Sequence, residues 1–133
     1  MPLATMTSTV TTIELPPSPE SPAAARDFVT TALRHHHVAP ESVDVARLLT
    51  SELVTNAVLH AGTRITVSLR VTERRVHVAV DDAEGSYPSP ADDAELDVHG
   101  RGLTIVDRLA HEWGVDRHED GKSVWFELRT TRA

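Results

Sequence analysis

The chain contains no cysteine, which removes disulfides, thiolate zinc sites and thiol nucleophiles together. No apolar run approaches the ~20 residues that a membrane span requires, so no membrane association is expected. Positive charge is in deficit: 13 lysines and arginines face 20 acids, for a formal charge of −7. Binding to a phosphate backbone needs a clustered basic face, and none is visible, which argues against direct contact with nucleic acid. A ligand that carries phosphates must then be held by local groups against an adverse overall field. The first residues lack the basic-then-apolar order of a signal peptide, so a cytoplasmic location is expected. At 133 residues, 40% hydrophobic and 25% charged, the chain has room for one domain with a real core.

Residues 1–8 read as a disordered tail and residues 9–130 as that single domain. TVTTIEL (9–15) alternates as a strand with Thr11, Ile13 and Leu15 on one face. After a Pro/Ser linker, Ser21-Pro22 reads as a helix N-cap followed by proline at the first helical position. Ala25, Phe28, Val29, Ala32 and Leu33 keep helical spacing to about Arg34. A second helix is predicted from near Ser42 to about Ala61, with Gly62 suited to its C-cap. Ile65, Val67, Leu69 and Val71 alternate as a strand, and Val76, Val78 and Val80 as the next. From Asp81 to Gly100 periodicity vanishes amid prolines, glycines and acids, as in a lid or a disordered loop. Leu103, Val106, Leu109 and Ala110 mark a third helix, and WGVDRHEDGKSVWFELRTT reads as two strands around an Asp120-Gly121 turn. The order predicts an α+β fold: a two-layer sandwich whose mixed, mostly antiparallel sheet is covered on one face by about three helices.

Within the second helix, SELVTNAVLHAG (51–62) places Glu52, Asn56 and His60 within about 80° of one another around the axis. Val45, Leu49 and Leu59 project into the same sector, while Val54 and Val58 point nearly the opposite way. A helix apolar on two sides is expected to be well covered. An inward carboxylate and amide then cost free energy unless partnered, either in a satisfied network or in a site. Two other places bear on that choice. Asp82 is in phase with Val76, Val78 and Val80, so it points inward where its strand ends, and Asp81 takes the other face. There it can accept a hydrogen bond from a ligand amino group, although turn-initiating aspartates are common at strand ends. In HGRGL (99–103), Gly100 and Gly102 permit close backbone approach, the helix N-terminus offers free N–H groups to phosphate, and Arg101 adds a charged fork. The histidines at 35–37 point in different directions and read as cations at a helix end. Trp113 and Trp125 read as core or sheet packing.

Taken in this order, the three motifs resemble the histidine-kinase-like ATPases, the GHKL or Bergerat-fold superfamily, and among them the small bacterial anti-sigma-factor serine/threonine kinases. The resemblance runs over about residues 9–130. SELVTNAVLHAG is similar to the family's N-box, HGRGL to its glycine-rich box and GKSVWFEL to its closing strand. It implies ATP and magnesium as cofactors. Glu52 matches the N-box acid that polarises the attacking hydroxyl, and Asn56 the amide whose oxygen coordinates magnesium. His60 sits where the family often has a basic or polar group near the phosphates. Asp82 matches the acceptor for the adenine amino group, with Ser123 expected close to that contact. Gly100, Arg101, Gly102 and Leu103 fall in the phosphate-binding box. The loop after the aspartate departs from the family's DxGxG: it reads DAEGS, with Glu84 and Ser86 replacing both glycines and Gly85 the only glycine left.

The chain lacks length for a phosphoacceptor dimerisation domain or a transducer domain, so the resemblance implies a bare ATP-binding domain. By that analogy its partners are a sigma factor and an antagonist protein phosphorylated on serine or threonine, and the analogy admits a homodimer. The other reading is a nucleotide-gated binding module that holds a partner without phosphotransfer, which the altered loop favours. A third, an interaction domain without nucleotide, requires the stripe in 51–62 to be a satisfied internal network.

Overall fold

The computed structural model describes residues 9–83 and 101–132. The expectations placed on the tail at 1–8, on Gly85, on Gly100 and on the side chain of Arg101 lie outside the described residues. In chain order the elements are β1 (Thr9–Leu15), α1 (Ser21–His35), α2 (Pro40–His60), β2 (Ile65–Val71), β3 (Arg75–Asp82), α3 (Arg101–Leu109), β4 (Glu112–His118) and β5 (Gly121–Arg129). The strands form one five-stranded sheet in the order β1-β2-β3-β5-β4, and the helices pack against one of its faces.

Every described strand pair is antiparallel, in line with the expected α+β sandwich and its mostly antiparallel sheet. The reason lies in the connections. Helices α1 and α2 form a there-and-back pair, so β2 returns antiparallel to β1. Strands β3 and β4 run in the same direction, but β5 inserts between them and no parallel neighbours remain.

The core follows the two periodicities of the sequence. On α2 the buried residues Val43, Ala46, Leu49, Leu53 and Ala57 recur at helical spacing, and α1 meets them with Ala25, Val29 and Leu33. From the sheet, Ile65, Val67 and Leu69 of β2, Val76, Val78 and Val80 of β3, and Phe126 and Leu128 of β5 face the same interior. Alternation in a strand and 3.6-residue recurrence in a helix suffice to make one continuous apolar layer. Gly62 adopts a φ of 65° just past α2, the left-handed conformation that glycine takes without a Cβ penalty.

Two sequence expectations shift in detail. Helix α1 begins at Ser21 itself, with Glu20 as its N-cap residue, and the Ser21 hydroxyl donates to the Pro16 carbonyl rather than accepting from a helix N–H. Leu59 was expected to face inward, yet it is 72% exposed, and Leu48 is exposed as well. The sector that holds Glu52 therefore borders the buried stripe of α2 and does not lie at its centre. On the face of the sheet away from the core helices, Trp125 stacks on His77 with ring centroids 5.3 Å apart. Gly114, opposite Trp125, leaves room for the indole: a Cβ there would meet the ring at 2.8 Å. Trp113 donates its indole N–H to Asp107 at 2.9 Å and so ties β4 to α3.

Candidate functional site

One pocket opens between α2, α3 and the ends of β3 and β5. Its walls are apolar, with Leu53 and Ala57 from α2, Val80 from β3, Leu103 from α3 and Val124 from β5. Three polar side chains share it: Asn56, Asp82 and Lys122. A mostly apolar lining with a few convergent polar groups is the usual make-up of a small-molecule site.

Asp82 arrives through strand alternation. It is the last residue of β3 and follows Val76, Val78 and Val80 onto the helix-facing side, where its side chain is 2% exposed. Asp81 faces the other way and is half-buried. Just beyond, the Ala83 N–H donates to the Thr63 hydroxyl at 3.0 Å, which fixes where the chain leaves the sheet. Gly121 fixes the opposite side. Its φ is 151°, and a Cβ added there would lie 2.0 Å from the Asp82 carbonyl oxygen. Gly121→Ala must therefore push the end of β3 aside, and a loss of stability of about 1–3 kcal/mol is expected. Denaturant unfolding of the two proteins checks this, and an unchanged midpoint would contradict the close packing at this turn.

Lys122 stands directly across from Asp82 in the β3–β5 register. Its Nζ lies 3.9 Å from Asp82 Oδ2, and its side chain is 15% exposed. The distance is that of an ion pair and exceeds the 2.7–3.2 Å of an N–H···O hydrogen bond. Lys122 was not among the residues singled out from the sequence. The signal was present all the same: Val124, Phe126 and Leu128 alternate toward the core, and Lys122 is in phase with them.

The same parity moves Ser123 out of the site. Ser123 pairs with Asp81, and directly paired residues share a face of the sheet. Both therefore lie on the side away from the pocket, which corrects the expectation that Ser123 sits beside the Asp82 contact.

Asn56 projects from the C-terminal part of α2 into the pocket wall, and its Nδ2 is buried with no hydrogen-bond partner among the described residues. A buried donor left unmatched costs on the order of 1–3 kcal/mol. At a pocket wall that donor is positioned for a ligand. Rotation of the amide exchanges its oxygen and nitrogen, so the position can present a carbonyl oxygen as readily. Glu52 and His60 stand one turn before and one turn after Asn56, both half-buried, and neither belongs to the lining of this pocket. Next to Glu52, Ser51 accepts a hydrogen bond from Arg26 at 2.9 Å, which joins α1 to α2 at this point.

Arg101 and Gly102 open α3, and Leu103 on its first turn forms part of the pocket wall. The helix thus starts beside the pocket, and its first N–H groups carry the positive end of the helix dipole. These parts suit a nucleotide: apolar walls for a base, a buried carboxylate for an amino group and a helix N-terminus for phosphates. Asn56 supplies an oxygen of the kind magnesium accepts, since that ion keeps several waters and takes few protein ligands.

Residues 15–128 match the family described as Histidine kinase-like ATPase domain, a span that holds Glu52, Asn56, Asp82, Leu103 and Lys122. No curated protein matches the chain. Among solved structures, the RsbU and RsbW domains of Rv1364c from Mycobacterium tuberculosis are similar, with a TM-score of 0.73 and 18% sequence identity. The likeness covers 94% of this chain and 33% of that one. This chain accordingly spans about a third of the length of that chain, and at that identity the likeness is one of fold.

Proposed function

The chain belongs to the histidine kinase-like ATPase domain family, and on that premise we propose that it binds ATP with magnesium and transfers the γ-phosphoryl group to a serine or threonine of an antagonist protein, so controlling a sigma factor. The observation that carries the nucleotide part is the presence in one apolar pocket of the buried Asp82 carboxylate and of Asn56, whose Nδ2 has no partner among the described residues. In this reading the base lies between Leu53, Ala57, Val80 and Val124, and Asp82 accepts from its amino group. The α3 N-terminus and Arg101 attract the phosphates. Asn56 turns its carbonyl oxygen toward the metal. Magnesium, when bound, supplies positive charge against the phosphates, which phosphoryl transfer requires. Glu52 orients the acceptor hydroxyl and draws its proton. The sigma factor and antagonist come from the resemblance to anti-sigma kinases.

A second reading keeps the nucleotide and drops the transfer. It is favoured by Glu84 and Ser86, which stand in the loop after Asp82 where the resembling kinases have glycines. Calorimetric titration with ATP in magnesium and in EDTA, followed by a transfer assay on candidate antagonists, separates the two. Asn56→Ala is expected to weaken the magnesium-dependent part of ATP binding by roughly tenfold, the scale of a lost ligand contact. Equal affinity in magnesium and EDTA, for both proteins, would remove Asn56 from the metal.

A further inference from the structure

The 13 lysines and arginines of this chain include a single lysine, and it is Lys122. Arginine serves every other basic position, including the exposed ion pairs at Arg64–Glu14 and Arg75–Glu127. The two cations differ in shape. Arginine presents a broad planar fork, whereas lysine presents a compact ammonium with three donors on a flexible stem. A lysine on the core-facing side of a strand also carries a desolvation cost, which the nearby Asp82 offsets. Yet at 3.9 Å from Oδ2 the ammonium is drawn toward that oxygen without a hydrogen bond to it. One wall of the pocket therefore shows an acceptor and a donor side by side, held in place by the register of β3 and β5.

We propose that Lys122 reads the ring nitrogen next to the adenine amino group, so that the pocket recognises two adjacent atoms of the base. The inference rests on the ATP reading of this pocket. The amino group donates to Asp82, and N1 accepts from the Lys122 ammonium. A 6-oxo purine in the same pose turns an oxygen toward the Asp82 carboxylate, where two acceptors face each other. Lys122 thus makes the edge specific at a second position. It also gives Asp82 its counter-charge while the pocket holds no base.

The test compares ATP with 1-deaza-ATP, in which a C–H replaces N1, by calorimetric titration of wild-type protein and of Lys122→Met. Methionine keeps an unbranched chain and removes the donor. Comparing two ligands on one protein cancels any loss of folded fraction in the variant. Wild type is expected to prefer ATP by about tenfold to a hundredfold, the range for a hydrogen bond from a charged donor. In Lys122→Met the two nucleotides should bind nearly alike. Equal affinities in wild type overturn the inference, as does a preference that persists unchanged in Lys122→Met. If neither nucleotide binds wild type, the ATP reading fails and takes this inference with it. If ATP binds wild type but N1 is not sensed, only the role of Lys122 falls.

Discussion

Replacing Glu52 with glutamine is expected to slow phosphotransfer by about two to four orders of magnitude, the usual contribution of a general base, with ATP affinity nearly unchanged. Glutamine keeps the shape and a hydrogen-bonding group but loses the charge that attracts a proton. The geometry explains the split between rate and binding. Glu52 lies on α2 one turn before Asn56 and outside the lining of the Asp82 pocket, so it does not grip the base. It is half-buried, and the neighbouring Ser51 is held by Arg26, so the variant must be shown to melt like wild type. A full rate in folded Glu52→Gln would strike it from the chemistry and leave the stripe at 51–62 as a binding element. Absence of transfer in wild type, with partner affinity still responding to ATP, would establish the binding module instead.

Asp82→Asn is expected to weaken ATP binding by about tenfold to a hundredfold, as when a charged hydrogen bond is lost from a buried site. Asparagine fits the same space but can present a donor to the amino group. It also strips Lys122 of the negative charge 3.9 Å away, and a partly buried cation without its partner lowers stability. Thermal melting without nucleotide and titration with it separate the two losses. Asp81→Asn is the control. That residue faces the other side of the sheet, opposite Ser123, and its replacement should leave binding intact. The reverse pattern, a damaging Asp81→Asn and a silent Asp82→Asn, would move the base to the other face.

The elements that could be read from the sequence were those whose signal is local. Strand alternation placed Asp82 on the buried side, and helical periodicity put Glu52, Asn56 and His60 on one sector of α2. Where the reading went astray, a longer-range fact decided. Ser123 was placed beside Asp82, but the pairing of β3 with β5 sets Lys122 there. The parity of Val124, Phe126 and Leu128 pointed to Lys122, yet a lysine is rarely taken to face a core. Helical spacing puts Leu59 in the sector of Glu52 and Leu49, but periodicity cannot say where along α2 the covering elements stop. The mostly antiparallel character of the sheet was legible, but the insertion of β5 between β3 and β4 is a pairing that no local pattern encodes.

That insertion also governs how the pocket comes into being. Asp82 and Lys122 meet only when β5 joins β3, after the chain has run out through α3 and β4 and turned back. The β2–β3 and β4–β5 hairpins close short loops, but this central pairing closes a long one and carries the larger entropic cost. The acceptor and donor of the pocket wall are therefore brought together by a pairing between strands distant in sequence, each of which also belongs to a local hairpin. The two groups occupy the last rung of that central pairing, where β3 ends and β5 has just begun, so the strand ends can open there while the rungs behind them hold. The spacing of the two polar groups is thus inherited from the apolar rungs behind them, Val80 with Val124 and Val78 with Phe126, so a change deep in the sheet reaches the ligand through the alignment of its edge.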